Sequence, residues 1–149
     1  MSEIVGFAGQ INPEHIPQVV EKGFKSVINN RPDLEGGPEQ PTSAQIEEAA
    51  RAAGLDYVYQ PVVAGQITEV DVRTFANHFN ELPKPVLMFC RTGNRSNNLY
   101  QIAKQMDLLD DWFKLEIRKA SIFMDAFFIE WLNFIIYYNS DLFKSLKWI

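Results

Sequence analysis

The sequence predicts an α/β fold in which a mostly parallel central sheet is flanked by helices. Short apolar segments alternate with longer amphipathic segments over the first two-thirds of the chain, which is typical of parallel sheets covered by helices. One apolar run, Pro85 to Phe89, is continuous rather than alternating, as in a strand buried on both faces. Apolar residues make up 46% of the 149 residues, enough for the core of one domain.

Four strands and four helices are predicted in alternation. The strands are the segments EIVGFAG, FKSVIN, DYVYQPVV and PVLMF. The helices are recognised by N-cap residues, capping boxes and terminal glycines. The first helix begins at Asn12 and Pro13 and ends at Gly23, and the second begins at Thr42 with Gln45 and ends at Gly54. The third covers 69–82 and begins after Thr68, which pairs with Asp71. The fourth covers 96–106.

The predicted α/β domain covers residues 1–106, and residues 107–149 form an aromatic-rich helical tail that is not an independent domain. A membrane span in this tail is unfavourable, because Asp125 and Glu130 interrupt it and the longest uncharged run, 131–140, is too short. We therefore expect the tail to pack on the domain or to be buried in a homodimer.

Charge and cysteine content exclude several classes of protein. A net charge of -5 argues against a general nucleic-acid binder. The single cysteine excludes an internal disulfide and a multi-cysteine metal site. The first residues show neither a basic segment nor a long apolar run, so no signal peptide is expected. These features predict a cytoplasmic protein with a free thiol and with no metal or organic cofactor.

The single cysteine, Cys90, follows the predicted buried strand within the sequence PVLMFCRTGNRS. Ligands of open α/β sheets bind at the carboxyl ends of the strands. The loop N–H groups of Thr92, Gly93 and Asn94, followed by a helix N-terminus, are expected to form an anion-binding nest that lowers the pKa of the thiol. Arg91 and Arg95 add positive charge, so the loop predicts a reactive nucleophile rather than a buried structural cysteine.

The segment CRTGNRS is similar to the active-site loop of cysteine-based phosphatases and rhodaneses. Together with FAGQI, GFKSVINNRPD and GLDYVYQPV, it makes residues 4–106 resemble the phosphatase-like domain of beta-lactamase hydrolase-like proteins. The resemblance implies a protein-tyrosine-phosphatase-like fold of the dual-specificity type, and either phosphatase or sulfurtransferase activity. It assigns Cys90 and Arg95 as catalytic residues.

Three features favour sulfur transfer over phosphate hydrolysis. Four residues separate Cys90 from Arg95, one fewer than in the resembling phosphatase loops, which suggests a cradle too small for phosphate. Phe89 stands where those phosphatases usually have a histidine, and Ala64 and Gly65 stand near the place of their acidic residue. Sulfur transfer has a low-pKa leaving group and needs no strong general acid.

The main hypothesis is therefore a sulfurtransferase that takes sulfane sulfur from a persulfide, such as that of glutathione, or from thiosulfate, and passes it to a thiol through a Cys90 persulfide. The first alternative is a cysteine-based phosphatase acting on a phosphoester. The second alternative is an inactive module that binds an anion or a partner. In either enzyme, Ser96 would donate a hydrogen bond to the thiolate or would cap the helix.

The loop over 29–41 should lie on the same sheet edge as Cys90, because it follows the second parallel strand. Arg31 is a candidate for binding the anionic substrate. Asp33 is either a substitute general acid or a residue occupied by turn hydrogen bonds and a local pair with Arg31. The stretch LEGGPEQP is either a mobile lid or an ordinary exposed loop.

Overall fold

The computed structural model describes residues 4–110 and 124–133. The chain divides into two compact units, residues 1–109 and residues 110–149. In the second unit, residues 124–133 are helical, and the rings of Phe128 and Trp131 within this helix lie 6.2 Å apart. The other residues of the predicted tail, 111–123 and 134–149, lie outside the described residues. The packing of the tail on the domain and its burial in a homodimer stay predictions.

The first unit alternates strands and helices as the sequence predicts. Each of the four predicted strands is present, although each is only four residues long. In chain order the elements are β1 (Val5–Ala8), a 3-10 turn (Pro13–His15), α1 (Ile16–Glu21), β2 (Ser26–Asn29), α2 (Ser43–Ala52), β3 (Asp56–Tyr59), α3 (Glu69–Glu81), β4 (Val86–Phe89) and α4 (Asn94–Gln105).

The four strands form one fully parallel sheet in the order β1-β4-β2-β3. In the register of the sheet, Phe89 at the end of β4 pairs with Ala8 of β1 on one side and with Asn29 of β2 on the other. The loops that follow these three strands therefore leave the same edge of the sheet side by side. This arrangement brings distant parts of the sequence next to Cys90.

Alternate residues of the strands supply two separate cores, one on each face of the sheet. Val27, Leu87 and Phe89 pack with α1 and α2, whereas Ile28 and Met88 pack with α3 and α4. Because successive side chains of a strand point to opposite faces, the continuous apolar run in β4 fills both cores. The prediction that this strand is buried on both faces is confirmed.

Helix boundaries follow the local signals, with two differences. The capping boxes begun by Thr42 and Thr68 are confirmed. Asn12 caps a 3-10 turn that precedes α1, rather than the α-helix itself. The last helix begins at Asn94 instead of near Ser96, because Gly93 adopts the left-handed conformation and serves as its N-cap.

No helix within residues 4–110 or 124–133 combines the length and the apolar character that crossing a membrane requires.

Replacing Phe75 by alanine should destabilise the first unit by about 3–5 kcal/mol, because this fully buried ring of α3 would leave a cavity. Urea unfolding measures the change. Val70→Ala in the same helix is the matched control, and since Val70 is 72% exposed its effect should stay within about 0.5 kcal/mol. Equal losses from the two substitutions would contradict the burial of this helix face.

Candidate active site

Cys90 immediately follows β4 and lines a pocket of about 660 Å³. The residue is only 1% exposed, so a reactant reaches its sulfur through this pocket. The pocket is lined by Glu35, Ala64, Gly65, Ile67, Cys90, Arg91, Thr92, Asn94, Arg95 and Asn98. The structure thus brings five of the predicted site residues into one pocket wall: Cys90, Arg91, Thr92, Asn94 and Arg95.

Hydrogen-bond donors surround the sulfur of Cys90. The Gly93 N–H donates to Sγ over 3.1 Å, and interactions with the main-chain N–H groups of Thr92 and Ser96 and with the Ser96 hydroxyl also lower the pKa of the thiol. Burial raises the pKa of the Cys90 thiol, but these hydrogen bonds outweigh burial and hold the pKa below its usual value of 9.0. The geometry of the loop therefore favours the thiolate.

The shape of this loop depends on two glycines and on the end of β1. Gly93 has a φ of +93°, and a Cβ there would lie 3.2 Å from the carbonyl oxygen of Ala8. A Cβ on Gly9 would lie 3.2 Å from the Arg91 oxygen, which also accepts a hydrogen bond from the Gln10 N–H. The small residues after β1 therefore allow the two loops to pack closely and fix the direction of the Gly93 N–H.

Arg95 enters the pocket wall from the first turn of α4. Its Nη1 donates to the main-chain oxygens of Val62, over 2.8 Å, and of Asn30, over 3.3 Å. The Arg95 Nε is buried and has no acceptor among the described residues. An unsatisfied buried donor is unfavourable by about 1–3 kcal/mol, and an oxyanion in the pocket would supply the missing acceptor.

Glu35 joins two arginines at the rim of the pocket. One of its carboxylate oxygens lies 2.8 Å from Arg95 Nη2 and the other lies 2.9 Å from Arg31 Nε. Burial raises the pKa of the Glu35 carboxyl, but the bonds and charges of Arg31 and Arg95 outweigh burial and hold the pKa below 4.5. Sequence analysis missed this residue, although its position four residues after Arg31 was a signal for a local ion pair.

Arg31 was predicted to bind substrate, but the described pocket wall does not include it. Its guanidinium lies behind Glu35, where Nη1 also donates to Gln10 Oε1 over 3.0 Å. The local pair that was considered between Arg31 and Asp33 is replaced by the pair of Arg31 with Glu35. Asp33 instead accepts a hydrogen bond from the Ser43 N–H at the start of α2.

Ser96 is the third residue of α4 and is fully buried, so it is not the helix cap. Its hydroxyl donates to Asn30 Oδ1 over 2.9 Å. Asn30 follows β2, and its own Nδ2 donates to the Gln60 oxygen over 3.0 Å. The second strand thus contributes a buried amide to the site, a contact that sequence analysis did not find.

The part of the chain that the structure describes contains no group of three His, Cys, Asp or Glu side chains that could hold a metal ion. The functional groups that line the described pocket are one thiol, two guanidinium groups, one carboxylate, one threonine hydroxyl and two asparagine amides.

The family model described as "Beta-lactamase hydrolase-like protein, phosphatase-like domain" matches residues 1–107. The chain belongs to this family. It is 40% identical over 107 residues to a beta-lactamase hydrolase-like protein of Agrobacterium fabrum, and 35% identical over 107 residues to one of Xylella fastidiosa. Each match covers 72% of this chain and 25% of the relative, so the chain spans about a quarter of the length of these relatives.

Two solved structures show the same fold as this phosphatase-like domain. One, described as "a putative phosphatase" from Neisseria meningitidis Z2491, has a TM-score of 0.62 and 36% identity, and the match covers 66% of this chain and 70% of that one. The other, from Shewanella putrefaciens CN-32, has a TM-score of 0.60 and 23% identity, covering 74% and 69%. The predicted family and the predicted phosphatase-like α/β fold are confirmed. These comparisons favour the phosphatase alternative, and nothing in them supports sulfur transfer.

Gly93→Ala should raise the pKa of Cys90 and slow its alkylation at neutral pH, because the new Cβ would push the loop away from Ala8 and displace the Gly93 N–H from the sulfur. The pH dependence of iodoacetamide labelling measures the change. Gly23→Ala is the matched control, since Gly23 also has a positive φ but has no atom within 4 Å of an added Cβ. Both variants should lose about 1–2 kcal/mol of stability. An unchanged labelling profile in Gly93→Ala would refute the proposed cradle.

Glu35→Gln should destabilise the first unit by about 1–2 kcal/mol at neutral pH, because two charged hydrogen bonds are lost. The pKa of Glu35 is lower in the folded state, so its stabilisation is present above pH 4.5 and disappears as the pH falls through the folded-state value. The difference in Tm between wild type and variant should therefore shrink in acid. Glu47→Gln, which breaks an exposed pair with Arg51, is the control and should change Tm little at any pH.

Proposed function

We propose that the chain is a cysteine-dependent phosphatase in which Cys90 is the nucleophile and Arg95 binds the phosphoryl oxygens. The observation that carries the proposal is the buried Cys90 sulfur, which accepts a hydrogen bond from the Gly93 N–H in a pocket that Arg95 also lines. The membership in a phosphatase-like family supports it.

In the proposed reaction, the Cys90 thiolate attacks phosphorus, an S–P bond forms, and the bond from phosphorus to the leaving oxygen breaks. Water then attacks the phosphocysteine, the S–P bond breaks, and phosphate leaves with the thiolate restored. Arg95 would stabilise the charge on the equatorial oxygens. Arg91 would attract the anionic substrate, since it lines the same pocket.

Protonation of the leaving oxygen limits the proposed reaction. Glu35 is the one carboxylate in the described pocket wall, and its lowered pKa keeps it ionised at neutral pH. An ionised carboxylate has no proton to give to a leaving oxygen. The proposed enzyme should therefore favour phosphoesters whose leaving groups have a low pKa, such as aryl phosphates, over alkyl phosphates.

Sulfur transfer is the second candidate, and the short spacing between Cys90 and Arg95 favours it. A Cys90 persulfide formed from thiosulfate or from a glutathione persulfide would need no general acid. Both candidates use the same sulfur, so the covalent species on Cys90 distinguishes them.

The two candidates are separated by intact-mass measurement after incubation with an aryl phosphate and, separately, with glutathione persulfide. We expect phosphate release and a trapped phosphoryl adduct with the aryl phosphate, and neither in Cys90→Ser. A sulfur adduct on Cys90 that is passed to an added thiol, without any phosphate release, would instead support the sulfurtransferase.

Arg95→Lys should lower kcat/KM for the aryl phosphate by roughly 100- to 1,000-fold, because lysine cannot reproduce the planar donor edge of arginine. Arg73→Lys is the matched control, since Arg73 forms an exposed pair with Glu69 outside the described pocket wall and its change should leave kcat/KM unaltered. Equal activity in the two variants would exclude Arg95 from the proposed reaction.

A further inference from the structure

The Ser96 hydroxyl has two possible acceptors in the interior of the site. It donates to Asn30 Oδ1 over 2.9 Å, and its interaction with the Cys90 sulfur is one of the causes that lower the pKa of that thiol. Ser96 and Asn30 are both fully buried, so water does not compete for this proton. A serine hydroxyl carries one proton and can donate it to only one of the two acceptors at a time.

Hydrogen bonds of both its side chain and its main chain fix the position of Asn30. Its Nδ2 donates to the Gln60 oxygen, which leaves Oδ1 directed at Ser96. Its main-chain N–H donates to the Phe89 oxygen at the end of β4, and its main-chain oxygen accepts from the Val62 N–H and from Arg95 Nη1. The amide is therefore held in place whether or not Ser96 donates to it.

We propose that Asn30 is a positioning residue that takes the Ser96 hydroxyl proton whenever the Cys90 sulfur is uncharged. While Cys90 is a thiolate, the hydroxyl donates to the sulfur, because hydrogen bonds to charged acceptors are the stronger ones. When the sulfur is protonated or bonded to phosphorus, the hydroxyl turns to Asn30 and its buried proton stays satisfied.

This inference deepens the proposed function, since the sulfur loses its charge when the S–P bond forms and regains it on hydrolysis. Asn30 would stabilise the uncharged states of the sulfur, whereas Ser96 would stabilise the charged one. The two residues thus act in opposite directions on the pKa of Cys90. Replacing a residue that only supported the loop would raise the pKa of Cys90, as replacing Ser96 would.

The test is the pH dependence of iodoacetamide labelling of Cys90, which needs no substrate and so is independent of the proposed function. Asn30→Leu, of similar size, should lower the labelling midpoint and increase the thiolate fraction below it about 2- to 10-fold, because the protonated state loses a hydrogen bond. Ser96→Ala should raise the midpoint. In the Ser96→Ala background, Asn30→Leu should have no further effect. None of these variants changes the charged residues that line the same pocket, which are Glu35, Arg91 and Arg95.

Asn29→Leu is the matched control, since Asn29 is the neighbouring buried asparagine and bonds to Tyr57 and to the Arg31 N–H rather than to Ser96. A raised midpoint in Asn30→Leu, an equal shift in Asn29→Leu, or an effect that persists without Ser96 would each overturn the proposal. If Asn30→Leu does not fold, the side-chain amide resonances of Asn30 decide. They should titrate with Cys90 in the wild type and not in Ser96→Ala, and resonances that do not respond in the wild type would overturn it.

Discussion

The need to hold a negatively charged sulfur in a nearly buried position constrains the rest of the site. A buried charge is unfavourable unless hydrogen bonds replace the lost water. At Cys90 the Gly93 N–H donates to the sulfur, and the main-chain N–H groups of Thr92 and Ser96 also lower the pKa of the thiol. Main-chain donors have no flexible side chain to order, so the geometry of the loop and of the helix N-terminus decides how well they stabilise the thiolate.

That geometry depends on the order of strands in the sheet. With β4 between β1 and β2, the loop after β4 is packed between the loop that follows β1 and the one that follows β2. The first supplies the close backbone contacts through Ala8 and Gly9, and the second supplies Asn30 and Glu35. Glu35 is shared by two arginines, so it limits the excess positive charge and fixes the guanidinium of Arg95 without hydrogen-bonding to its Nε.

Local patterns predicted the fold well, because strand burial, capping boxes and terminal glycines are properties of neighbouring residues. The strands and the position of Cys90 at a strand end followed from them, whereas the family followed from the resemblance of CRTGNRS and three further segments. The site was predicted only in part. Glu35 bonds to Arg95, 60 residues later in the chain, and Asn30 bonds to Ser96, 66 residues later. Such contacts depend on which strands become neighbours, which periodicity does not specify. Arg31, which was expected to bind substrate, pairs with Glu35 and is not among the residues of the described pocket wall.

The start of α4 also changes the significance of the short loop. The expectation of a cramped cradle rested on a loop one residue shorter than in the resembling phosphatases. The helix begins at Asn94, and the N–H of Ser96 in its first turn is one of the groups that lower the pKa of the Cys90 thiol. A helix that begins early replaces the donor that a shorter loop lacks, and it adds the positive end of its dipole. The short spacing between Cys90 and Arg95 therefore does not by itself decide between sulfur and phosphate, and the covalent species formed on Cys90 distinguishes the two reactions.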